Sequence, residues 1–181
     1  MLTLLKNFII FISTVLAMIS CNSDASIQKF IVEKQEREDI ISFDLSSDML
    51  SLKDSAHSIE NAEILNSIKK ANIIAYKIDT LNKDIYNDDK EQLINILKNK
   101  KYTELMRAGK GSNGVRVYTI GNEEALDEVI VYLNDKTKGW ALVRVIGDNM
   151  QPEQIMGLID DVRLNDPEQL EKITALFKER K

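Results

Sequence analysis

Three runs of alternating residues, 115–120, 128–133 and 140–146, constrain this chain more than any other feature. Side chains along a strand point alternately to opposite faces, so each run divides into two sets. One set is small or aliphatic: Val115, Val117, Thr119, Val129, Val131, Leu133, Ala141, Val143 and Val145. The other is large and mixed, with Arg116, Tyr118, Glu128, Ile130, Tyr132, Trp140, Leu142 and Arg144 among its members. Turn residues fill 134–139, so the last two runs read as a hairpin. The aliphatic set reads as the helix-covered face, with Val117, Val131 and Val143 buried together. The mixed set is too polar for a deep core and too apolar for bare water.

Upstream, Ile41, Phe43 and Leu45 alternate with Ser42 and Asp44 as a half-buried strand does. Ile59, Ala62, Leu65 and Ile68 recur at helical spacing before a β-rich run over 72–78. Residues 79–87 read as a polar loop, and Asp88-x-x-Glu91 as a capping box opening a helix with the stripe Leu93, Ile96 and Leu97. Tyr102, Leu105 and Met106 extend the helical spacing, which makes the glycine-rich 109–114 a helix-to-strand connection, and 122–126 reads as a helical turn. Pro152 opens a helix carrying Ile155, Met156, Ile159 and Val162, and a last helix carries Leu170, Ile173, Leu176 and Phe177. The order β-α-β-α-β-β-β-α-α predicts the α+β class: a single two-layer domain with an antiparallel or mixed sheet and helices mainly on one face.

The first 21 residues, MLTLLKNFIIFISTVLAMISC, read as an export signal ending at the only cysteine. One lysine precedes an apolar run over 8–19, short for a spanning helix and suited to a signal core. Met18-Ile19-Ser20-Cys21 resembles the lipobox of bacterial lipoproteins, in which the cysteine is acylated and becomes the new N-terminus. The alternatives are an ordinary cleaved signal or an uncleaved anchor. The expected organisation is a signal peptide over 1–20, a lipidated tether and lead-in over 21–38, in which Ile27, Phe30 and Ile31 suit a short docking helix, and the α+β domain over 39–181. The expected location is extracytoplasmic and membrane-anchored through Cys21, at the outer membrane on its periplasmic or outer side. The formal net charge is -5, and -6 without residues 1–20, which hold one lysine and no acid. Neither value suits a nucleic-acid partner.

Phe43-Asp44-Leu45, Ile73 to Tyr76, Tyr102-Thr103-Glu104-Leu105-Met106, Asp127-Glu128-Val129-Ile130-Val131 and Arg144-Val145-Ile146-Gly147-Asp148-Asn149-Met150, together with the lipobox, carry a likeness across nearly the whole mature chain. In these segments the sequence resembles the DUF4252 family of bacterial lipoprotein-like chains of unknown function. The resemblance implies a lipoprotein of this fold and carries over no activity, substrate, cofactor or catalytic residue.

Each chemical candidate therefore stands on its own residues. His57 is the only histidine, which rules out a histidine cluster or dyad and leaves a surface residue in a polar run. Residues 109–114 lack the spacing and following helix of a phosphate loop, and Asp84 to Glu91 lacks the ligand pattern of a calcium loop. Asp127 and Glu128 alternate to opposite faces and make a poor acid–base pair. Lys90, Lys98, Lys100 and Lys101 read as a solvated helix face. Gly147, Asp148 and Asn149 form a candidate loop site for a small anion or a sugar hydroxyl, against which stands a turn that Gly147 permits. No catalytic residue, metal site or cofactor is indicated. The function expected is non-enzymatic: a lipid-anchored binding or accessory domain whose envelope protein partner meets Tyr118, Tyr132, Trp140 and Arg144. Self-association or cover by the N-terminal segment would explain the same face. The alternatives in kind are an envelope hydrolase or transferase with an unidentified carboxylate site, and a small-ligand carrier.

Overall fold

In chain order the elements are α1 (Ile27–Lys34), β1 (Ile40–Ser46), a 3-10 turn (Ser47–Met49), β2 (Leu50–Leu52), α2 (Ile59–Ser67), β3 (Ile68–Lys77), α3 (Lys83–Leu97), β4 (Thr103–Lys110), β5 (Asn113–Asn122), β6 (Ala125–Asp135), β7 (Gly139–Met150) and β8 (Val162–Leu164). They come from a computed structural model that describes residues 25–52, 59–78, 82–110, 113–122, 125–151 and 162–164. Six strands form one sheet in the order β1-β3-β7-β6-β5-β4, and every neighbouring pair is antiparallel. A second ladder joins β2 to β8. The α+β class and the antiparallel sheet thus agree with the alternation in the sequence.

The two sheet faces exchange the roles that side-chain size suggests. The large, mixed set is the main core: Ile74, Tyr76, Tyr118, Ile130, Tyr132, Trp140 and Leu142 pack with Ile27, Phe30 and Ile31 of α1 and with Tyr86, Leu93, Ile96 and Leu97 of α3. Aromatic rings bury the most area when a helix lies over them, and here their polar tips find partners. The hydroxyls of Tyr86 and Tyr132 both donate to Asn134 Oδ1, at 3.0 and 3.1 Å, and that of Tyr76 donates to the Asn82 carbonyl at 3.0 Å. The aliphatic face carries a smaller cluster built from Leu52, Ile64, Ile68, Val117, Leu126, Val129 and Met150. On it Val117 is buried, but Val131 and Val143 are only half-buried, contrary to the expectation for all three.

Several boundaries move, each for a local reason. α3 starts at Lys83 rather than at a capping box on Asp88, because Tyr86 and Asp89 extend the buried stripe one turn earlier. Residues 103–110 are a strand rather than a helix. A bulge between Glu104 and Met106 leaves Leu105 without a partner in β5, so apolar residues that would alternate fall at helical spacing instead. Residues 109–114 are consequently a β4–β5 hairpin, with Gly109 opposite Gly114. The expected helical turn at 122–126 is another hairpin, in which Asn122 pairs with Ala125. Val162 belongs to β8 and not to a helix, while Ile155, Met156, Ile159 and the stripe from Leu170 to Phe177 lie outside the described residues.

Gly139 closes the β6–β7 hairpin at φ +121°, and a Cβ there would overlap the Tyr76 carbonyl oxygen of the adjacent strand. Gly139→Ala should therefore cost at least about 1–3 kcal/mol. Urea denaturation would read this as a lower midpoint at an unchanged slope.

Candidate functional site

The face expected to meet a partner is not a surface. Tyr118, Tyr132, Trp140 and Arg144 are 5, 2, 3 and 7% exposed, so the expectation of an open docking face is corrected. The cover is intramolecular. The rings of Phe30 on α1 and Trp140 meet at 5.6 Å between centroids, Tyr76 stacks on Trp140 at 6.1 Å, and the Ile27 amide donates to Tyr102 Oη at 3.0 Å. Arg144 forms a two-pronged bond with Glu128 at 2.6 and 2.7 Å and donates its remaining nitrogen to Gln28 of α1. A core arginine satisfied in this way reads from sequence like an interface residue, because its partner Gln28 lies 116 positions away.

Gly147, Asp148 and Asn149 do not form a loop at a strand end. They are a bulge inside β7, since Met150 resumes the ladder opposite Leu126 and Ile146 pairs with Glu128. Gly147 is needed because the Ser67 carbonyl and the Met150 side chain leave no room for a Cβ. Asp148 is exposed and pairs with Lys69 at 2.5 Å, and Asn149 takes φ 50°. Cys21 and His57 lie outside the described residues.

A second buried polar group joins the helices to each other. Asp89 on α3 is 1% exposed and accepts from Arg37 at 2.8 and 2.9 Å and from Lys34 at 3.0 Å. Arg37 also bridges to Asp39 at 2.6 Å, and this bond holds the Asp39 carboxyl below its usual range.

The cavity with most chemical content is a cleft of about 300 Å³ beside the β4–β5 hairpin. Its floor comes from alternate rows of the sheet. Arg107 sits opposite Arg116, which sits opposite Tyr132; two residues further along β4, Gly109 sits opposite Gly114, which sits opposite Asn134. The glycine pair lacks side chains, and that absence leaves the space. Lys90 and Ile94, one turn apart on α3, form the wall. Among the described residues lining it are three cations, Lys90, Arg107 and Arg116, and no carboxylate.

Just outside, Glu104 receives two bonds from Arg107, at 2.7 and 2.9 Å, and these hold its carboxyl below the usual range. Tyr118 links the rest. It is buried beside Glu104 and Arg116, and burial, the largest influence, raises its pKa. Burial likewise raises the pKa of Tyr132, which stays a neutral donor. Lys90 Nζ lies 5.7 Å from the centre of the Tyr86 ring. Sequence reasoning misses this site because the helical spacing of Tyr102, Leu105 and Met106 places residue 107 on a helix, and only the ladder sets Arg107 opposite Arg116. The two glycines were the available signal.

Residues 33–158, more than half of the chain, match the family described as "Domain of unknown function (DUF4252)". No curated protein matches, and no solved structure does.

Proposed function

The chain belongs to the DUF4252 family, whose description assigns no activity, and from its own residues we propose a lipid-anchored, extracytoplasmic, non-enzymatic binding domain of the bacterial envelope. The observation that carries the anchor is the export-type segment ending at the sole cysteine, in the setting Met18-Ile19-Ser20-Cys21. The fold is compatible with it: α1 begins at Ile27, capped by the Ser26 side chain, so only a short stretch separates Cys21 from the core. Two or three acyl chains on that cysteine would hold the domain at a membrane, where one would bind only marginally.

The cleft beside the β4–β5 hairpin supports binding better than catalysis. Among the described residues lining it are cations, a phenol and amides, and no carboxylate, histidine or thiol to serve as base or nucleophile. A protein docking on Trp140 would first have to displace α1, so the small-ligand reading replaces the aromatic-face reading.

Cys21→Ala tests the anchor. The wild type should incorporate labelled palmitate in cells and sediment with membranes. The variant should incorporate none and either appear in the soluble fraction or accumulate as precursor. Membrane retention of an unprocessed, unlabelled wild type would sink the anchor.

A further inference from the structure

We infer that the cleft binds an oxyanion, a phosphate or carboxylate group on a small solute, held between Arg107 and Arg116 with Lys90 closing from α3. The inference rests on the reading of the cleft as the binding site and is independent of the lipid anchor.

The ladder provides the first argument. Like charges directly opposite each other on neighbouring strands repel, and a sheet pays for that placement unless something negative sits between them. Arg107 on β4 and Arg116 on β5 occupy such positions. Glu104 answers one of them: it takes both bonds from Arg107, whereas Arg116 makes no ion pair among the described residues. Lys90 adds a third cation and makes no ion pair among the described residues, resting instead near the Tyr86 ring. Three cations line the cavity and no described lining residue is acidic, the nearby carboxylates of Glu104 and Asp135 being bonded to Arg107 and Asn113, in a chain whose formal charge is -5. The basic character is local rather than a reflection of composition.

Shape provides the second argument. The Gly109–Gly114 row keeps the space beside the arginines open, and the volume of about 300 Å³ lies at the small end of ligand sites. Guanidinium groups match carboxylate and phosphate geometry with paired bonds, which a lone lysine cannot do. A buried Tyr132 and the apolar Ile94 lower the local dielectric, and so strengthen attraction for an anion that enters.

The test uses the full chain in uncharged detergent, titrated with inorganic phosphate and separately with glucuronate at constant ionic strength. Binding is followed by calorimetry and by thermal unfolding. Saturable binding of either probe, with a rise in Tm, is expected; phosphate alone identifies a phosphate site and glucuronate a carboxylate site. Arg116→Gln should weaken binding about tenfold or more, yet leave Tm without anion unchanged or higher, since a repulsion is removed. A merely structural arginine would lower Tm instead. Lys90→Gln, at a half-buried position on the cleft wall, keeps the test decisive if Arg116→Gln folds poorly. Absence of saturable binding by both probes, or binding that neither variant weakens, overturns the inference. An unlabelled Cys21 with intact anion binding would remove only the anchor, and a labelled Cys21 with no anion binding would remove only this site.

Discussion

Trp140→Ala should destabilise the protein by about 3–5 kcal/mol, a large share of the stability an ordinary domain possesses. The indole is 3% exposed, lies between the rings of Phe30 and Tyr76, and is sealed by α1. Its Nε1 has no acceptor among the described residues, so its contribution comes from packing. Tyr132→Phe, which keeps the ring and deletes only the bond to Asn134, should cost about 1 kcal/mol. Equilibrium urea denaturation distinguishes the two. A Trp140→Ala protein as stable as wild type would mean that α1 does not close this face in solution, and the surface reading of Tyr118, Tyr132, Trp140 and Arg144 would return.

Asp89→Ala should cost about 2–4 kcal/mol, because it leaves the Arg37 and Lys34 cations facing each other beneath α1 with their shared acceptor gone. The value falls short of a fully buried pair because Arg37 retains Asp39 and part of its guanidinium reaches water. Asp39→Asn removes a carboxylate from the same arginine in a far more exposed setting and should cost under about 1 kcal/mol. Thermal unfolding of the two variants side by side is the check. Equal losses would show that Asp89 is not the group that ties α1 to α3.

Both predictions concern packing of a kind that local pattern reports unevenly. The strand runs and the α3 stripe at Leu93, Ile96 and Leu97 were legible because period two and period 3.6 are local properties. Ile27, Phe30 and Ile31 were legible as a docking helix for the same reason. Which sheet face that helix covers was not, because the answer depends on distant partners: Gln28 for Arg144, Asn134 for the Tyr86 hydroxyl, and the Ile27 amide for Tyr102. Each meets a polar tip that, taken alone, speaks against burial. β4 failed for a different reason, since one bulged residue changes the phase of the alternation. The basic cleft failed with it, because its central feature is a cross-strand pair in that strand.

The place of α1 in the core also sets an order of events during synthesis. The helix precedes almost everything it packs against: its bond partners lie 75 and 116 residues further along, at Tyr102 and Arg144. β7, which holds Trp140 and Arg144, lies between β3 and β6, so the two halves of the sheet cannot be joined before it emerges from the ribosome. Contacts so distant in sequence are slow to form. The complete six-stranded sheet, and the seat of α1 on it, therefore form only after nearly all of the described chain has been made.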